Sequence, residues 1–179
     1  MQTSADIDGW FGFEDVYRFL LSTINGHGTF VECGAWLGKS SSFLCDIASP
    51  LVSIYIVDHW RGSISEQDST HKIAKNTDIY AQFLANMGSR KFTPIRKPAT
   101  EAAKIFKDSS CDVVFIDMDH SYDSVKQDIA TWLPKVKKNG YIAGHDYCPY
   151  WHGVIGAVNE KFGEDKIKVM QGCWIYKNE

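Results

Sequence analysis

Two short runs hold the side chains best suited to chemistry. FIDMDHSY (115–122) supplies Asp117, Asp119 and His120, and GHDY (144–147) supplies His145 and Asp146. Imidazole titrates near neutral pH and suits a general base. Carboxylates gathered with imidazole also suit a divalent cation. Two mechanisms stay open on residue types alone. In one, Asp117 or Asp119 with His145 and Asp146 binds a cation that activates a substrate hydroxyl. In the other no metal takes part, and His145 or His120 removes the proton. A nitrogen donor disfavours Mg²⁺, which prefers oxygen, and is better tolerated by Zn²⁺, Mn²⁺ or Fe²⁺.

A second group of residues lies upstream, in FVECGAWLGKSS (30–41). Its Gly38-Lys39-Ser40 tail approaches a phosphate-binding P-loop, which requires four residues between its glycines. Gly34 and Gly38 enclose only Ala35, Trp36 and Leu37. Glycine at such positions permits positive φ and close approach of a ligand, and Glu32 beside them would repel a triphosphate. Asp58 follows Gly38 by 20 residues, the spacing at which dinucleotide folds place the acid that binds a ribose. Two carboxylates flanking a glycine turn suit a cationic nucleoside. S-adenosylmethionine, with ribose hydroxyls and an ammonium group, is such a ligand. Lys39 reads as a solvated lysine.

The elements that must position these groups follow from periodicity. Thr29–Cys33, Leu51–Val57, Phe92–Arg96, Cys111–Ile116 and Tyr141–Ala143 are short apolar runs expected to be strands. Between them lie helical stretches at Ser40–Ala48, at a segment ending near Met87-Gly88, at Thr100–Phe106 and from Tyr122 to Leu133. A polar stretch, Arg61 to Asn76, precedes the second of these, and Lys137–Gly140 is expected to terminate the last. A further helix spans Val154 to Phe162, and Ile167–Met170 with Cys173–Tyr176 reads as a closing hairpin. Strand–helix alternation with strands apolar throughout implies an α/β fold: a doubly wound, mostly parallel sheet with helices on both faces and an antiparallel C-terminal hairpin. Ligands then bind outside the carboxyl ends of the strands, where both groups of residues fall.

The bulk properties agree. The 179 residues, 44% hydrophobic and 23% charged, suit one domain, with residues 1–28 as an N-terminal helical segment packed on it. A net charge of −3 argues against a nucleic-acid partner. No apolar run approaches a membrane span, and the acidic N-terminus lacks signal-peptide character, so a cytoplasmic location is expected. The five scattered cysteines read as free thiols.

Together Glu32-x-Gly34-x-x-x-Gly38, Asp58, the FID ending at Asp117 and the terminal hairpin resemble the class I S-adenosylmethionine-dependent methyltransferases, which are Rossmann-like. More specifically, Ile116–Tyr122, Asp128, Trp132-Leu133-Pro134, Gly140 and Gly144–Tyr147 are similar to the small-molecule O-methyltransferases of the macrocin, catechol and cephalosporin-hydroxylase-like group. The resemblance spans roughly Phe30 to Val158. It implies that Glu32 and Gly34 border the methionine part of the cofactor and that Gly38 allows a close helix start. Asp58 would take the ribose hydroxyls, with His59 and Trp60 beside the adenosine. Lys97-Pro98-Ala99 would lie along the adenine, and Asp117 beneath the sulfonium. It also implies a homo-oligomer and a small hydroxylated acceptor such as a sugar, phenol or natural product. In the metal-dependent relatives a carboxylate usually stands where this chain has His145. The aromatic run Tyr147–His152 is expected to wall the acceptor pocket. Two rivals remain: a metal-dependent hydrolase or hydroxylase using the Asp/His cluster, and a non-catalytic binding module.

Overall fold

The computed structural model describes residues 2–62 and 70–179. Seven strands form one sheet in the order β3-β2-β1-β4-β5-β7-β6. In chain order the elements are α1 (Glu14–Ser22), β1 (Gly28–Cys33), α2 (Lys39–Ile47), β2 (Val52–Asp58), α3 (Thr70–Asn76) and α4 (Ile79–Met87). They are followed by β3 (Thr93–Arg96), α5 (Ala99–Ala102), β4 (Cys111–Ile116), α6 (Tyr122–Trp132), β5 (Val136–Gly144), α7 (His152–Phe162), β6 (Lys168–Met170) and β7 (Cys173–Lys177). β1 to β5 pair in parallel, and β7 runs antiparallel to both β5 and β6. The order reverses between β1 and β4, and it is there that an open α/β sheet leaves a crevice.

Alternation along the strands divides the core in two. Phe30, Ile56, Phe115 and Ala143 pack with Tyr17 and Leu20 of α1, Leu44 of α2 and Phe83 of α4. Their neighbours Val31, Val57, Val114 and Ile142 pack with Ala102, Ile129, Trp132 and Val158 from α5, α6 and α7. A period of two thus feeds both faces of a sheet covered on both sides. Each side chain of Phe or Leu size removed from water here contributes about 1.5–3 kcal/mol.

Local chemistry sets the helix ends near the crevice. Asp78 caps α4 by accepting from Ala81 N at 3.1 Å. Ser121 does the same for α6 through Ser124 N, as short hydroxyl and carboxylate side chains do at helix starts. Gly163, at φ 82°, closes α7.

Two expectations change. The polar stretch from Arg61 to Asn76 contains α3, and its residues 63–69 lie outside the described residues. Lys137–Gly140 does not terminate the α6 segment; it belongs to β5, which begins at Val136. The register of β5 against β4 shifts between Cys111 and Val113. Asn139, at φ 64°, marks this irregularity, and Asn178 ties it down by accepting from Asn139 N and donating to Gly140 O. A bulge carries Asn-Gly without ending the strand.

Candidate active site

At the C-terminal ends of β1, β2, β4 and β5 a cavity of about 1000 Å³ opens. Its wall begins with the glycine loop. Gly34 takes φ 93°, and a Cβ built there would lie 1.7 Å from the carbonyl oxygen of Asp117. Only glycine lets the β1 and β4 termini touch in this way. Asp117 N in turn donates to Cys33 O at 2.7 Å, and Gly34 N to Val57 O at 2.8 Å. Gly38, at φ 92°, is the N-cap of α2.

Asp58 locks that loop. Its Oδ2 accepts from Ala35 N at 2.9 Å and from Trp36 N at 3.1 Å, and its Oδ1 accepts from Trp60 N at 2.6 Å. Trp36 and Trp60 both hold positive φ, 47° and 52°, a conformation that non-glycine residues adopt at a cost the surroundings must meet. Here the Asp58 bonds and the Trp60 Nε1 bond to Trp36 O at 3.0 Å meet it. Asp58 and His59 line the cavity, as do Pro98, Ala99 and Thr100 after β3.

At the other end stand Asp117, Asp119, His120, His145 and Asp146, all lining the cavity. His120 Nε2 lies 2.6 Å from Asp146 Oδ2, and its ring stacks on Trp151 with centroids 4.0 Å apart. His145 Nδ1 sits between carboxylates, 3.4 Å from Asp146 Oδ2 and 3.8 Å from Asp117 Oδ1, while Phe13 packs on its ring at 4.6 Å. Burial opposes charge on His145, but Asp117 and Asp146 outweigh it and raise its pKa to about 10. Burial likewise opposes the charge of Asp146, and the two imidazoles outweigh it, holding the carboxyl well below the usual range. His145 is therefore an imidazolium at neutral pH, which does not suit the role of general base. Asp146 itself adopts φ 60°, the kind of strain that collects at functional positions.

Glu32, Gly38 and Trp60 stand apart from the other cofactor candidates. Glu32 is 0% exposed and turned into the sheet's α1 face, where Tyr17 Oη donates to Oε1 at 2.6 Å and Ser41 Oγ donates to Oε2. Burial drives its pKa up to about 7 against those hydrogen bonds. Trp60 is 3% exposed and packs on Tyr80 and Phe83. Gly38 faces Phe83 and Met87, and none of the three lines the cavity.

For a cation, the converging groups differ from those expected. Asp117, His120 and Asp146 bring ligand atoms within 4.8 Å of one another, whereas Asp119 accepts from Ser121 N at 2.8 Å and His145 is charged. Two carboxylates with one imidazole make a mixed oxygen–nitrogen donor set, which suits Zn²⁺, Mn²⁺ or Fe²⁺ better than Mg²⁺. No step is assigned to a metal.

Sequence reasoning missed several wall residues. Asp8, Gly9 and Trp10 reach the cavity from the N-terminal segment, Lys39 lines it, and α6 adds Ser124, Gln127 and Asp128. From the aromatic run, Tyr150 and Trp151 line it, whereas Tyr147 turns away to donate to Asn159. Only helical spacing along α6 could have signalled its three.

Comparison with known proteins matches this geometry. The O-methyltransferase NovP superposes with a TM-score of 0.64 at 15% identity, over 92% of this chain and 78% of its own. A putative rRNA methylase from Clostridium thermocellum gives 0.56 at 13% identity, over 93% and 97%. At such identities the likeness establishes the fold. The uncharacterized protein y4gI of Sinorhizobium fredii is 28% identical over 130 residues, 69% of this chain, and the match spans only 13% of that relative's length. Residues 31–147, well over half of the sequence, match the methyltransferase domain family, and the chain belongs to it.

Proposed function

We propose that the protein transfers the methyl group of S-adenosylmethionine to a hydroxyl oxygen of a small molecule. The observation that carries this reading is the single cavity joining the glycine loop and Asp58 to the acid–histidine cluster. Membership of the methyltransferase domain family supports methyl transfer, and the name of NovP supports oxygen as the nucleophile. Methyl transfer needs nucleophile, methyl and sulfur in line, so most of the catalysis is alignment. The loop held by Asp58 would seat the nucleoside, with Ala99 and His59 flanking it, and Asp117 would lie beneath the sulfonium. Asp117 would orient the hydroxyl by accepting its hydrogen bond, and His120, held by Asp146 at 2.6 Å, would take its proton as the methyl leaves sulfur. His145, an imidazolium between Asp117 and Asp146, is a positioning residue that keeps those carboxylates ionised and in place.

The lining also favours a small acceptor over RNA. Among the described residues, Asp8, Asp58, Asp117, Asp119, Asp128 and Asp146 outnumber the cations of the lining, Lys39 and the His145 imidazolium, and that excess of negative charge repels a phosphate backbone. Incubation with methyl-labelled S-adenosylmethionine, a set of phenols and free sugars, and total ribosomal RNA tests the reading. Label is expected in a hydroxylated small molecule, undiminished by EDTA. Label found only in RNA would overturn it.

A further inference from the structure

Among the described residues, Trp10 and Tyr150 are the exposed aromatic side chains, 67% and 81% accessible, and both line the cavity. Every other Phe, Tyr and Trp of those residues is buried or half-buried. Single exposed apolar residues are ordinary, but large rings gathered at one opening mark a surface that a ligand covers.

Fraying of the chain end does not account for Trp10, because the N-terminal segment is pinned on both sides of it. Arg90 donates to Gln2 O at 2.8 Å and grips both Asp46 oxygens, at 2.7 and 2.8 Å. Beyond Trp10, Phe13 is buried against Tyr17, Phe115 and His145. The three residues of chain from Trp10 to Phe13 span at most about 11 Å. Trp10 therefore stands near the acid–histidine end of the cavity, where the acceptor hydroxyl must arrive. Gly9, at φ 135°, turns the chain between Asp8 and Trp10 and packs on Trp36.

This turn brings two unsatisfied groups to the cavity. The Trp10 indole makes no ring contact, and the Asp8 carboxylate has no hydrogen bond or ion pair among the described residues. Lys39, whose Cβ lies close to Gly9, does not pair with it. From the β5 side, Tyr150 stands edge-on to Trp151, which stacks on His120. An indole accepts a flat ring by stacking and attracts a cation to its face. A carboxylate beside it adds a charged partner for an ammonium group.

We propose that Asp8 and Trp10 select the acceptor, and that it is a hydroxylated aromatic ring carrying an ammonium group. The ring lies against Trp10 and Tyr150, the ammonium faces Asp8 at the rim, and the hydroxyl points inward to Asp117 and His120. The inference rests on the cavity being the methyl-transfer site.

Calorimetric titration of the protein saturated with S-adenosylhomocysteine tests it, using phenols of similar shape and different charge. Tyramine is the cation, tyrosol the neutral analogue and para-hydroxyphenylacetate the anion. Wild-type protein is expected to bind tyramine about tenfold more tightly than tyrosol, and the anion more weakly than either. Asp8→Asn should reduce the preference for tyramine to about twofold, and Trp10→Ala should weaken tyramine and tyrosol by about fivefold or more. Both positions are exposed, so the variants are expected to melt with the wild type. Equal binding of the phenols, preference for the anion, or variants that bind as wild type does overturns the assignment. Binding of S-adenosylhomocysteine but of no phenol also overturns it and leaves methyl transfer standing. Failure to bind S-adenosylhomocysteine removes the methyl-transfer reading as well.

Discussion

Asp58 holds three backbone amides with one carboxylate, and two of them belong to the loop that must meet the cofactor. Asp58→Ala leaves those buried donors unpaired. It is expected to cost about 3 kcal/mol in urea denaturation and to weaken S-adenosylhomocysteine binding more than tenfold by calorimetry, with Asp58→Asn intermediate in both. Glu32 acts by a different route. Its folded pKa of about 7 lies above its ordinary 4.5, so the folded state holds the proton more tightly than the unfolded chain. Stability contributed by this group is full below pH 4.5, falls between 4.5 and 7, and is level above. Glu32→Gln should flatten that interval in urea midpoints measured against pH, and an unchanged slope would refute the assignment. The spacing from Gly38 marked Asp58 as important, yet the claim of Ala35, Trp36 and Trp60 on its oxygens was hidden, because backbone donors leave no trace in residue type. Glu32 was misplaced for a related reason. The strand pleat, not the nearness of the glycines, decides its direction, and residue 32 shares the face of Phe30, toward Tyr17.

The strand termini act as one unit because β1 and β4 touch through Gly34 and Asp117. Gly34→Ala puts a methyl into the Asp117 carbonyl and a side chain at φ 93°. A loss of at least about 2 kcal/mol is expected, seen as a lower melting temperature with loss of cofactor binding. Wild-type stability in that variant would mean the two termini are not in contact. Strands and long helices were legible here, since apolar runs and 3.6-residue spacing report burial directly. The second half of β5, Tyr141–Ala143, was legible too, but its first half was not, because Lys137-Lys138-Asn139-Gly140 has the composition of a turn, and only pairing with β4 and the Asn178 clasp makes it strand. The N-terminal segment's reach was hidden likewise. Phe13 packs against His145, and Asp8, Gly9 and Trp10 arrive at the cavity by a path that no local pattern encodes.

Across the whole molecule, the β3-β2-β1-β4-β5 order brings the ends of β1, β2, β4 and β5 to one opening, so residues from 8 to 151 share a cavity. The antiparallel β7 extends the sheet beyond β5, and its Trp174 and Ile175 bury in the two core clusters. No helix among the described residues is long and apolar enough to cross a membrane. A mostly parallel sheet with a terminal antiparallel hairpin could be inferred from strand–helix alternation, but not the order of its strands. The composition of the cavity wall could not, since Trp36, Lys39 and Asp128 join it only through three-dimensional placement. Six aspartates on that wall give the site a negative field that welcomes a sulfonium and screens against polyanions. The most direct test of this account is calorimetric titration of the wild-type protein with S-adenosylhomocysteine at neutral pH. One-to-one saturable binding below millimolar concentration is predicted, and the absence of any binding heat at millimolar ligand would contradict it.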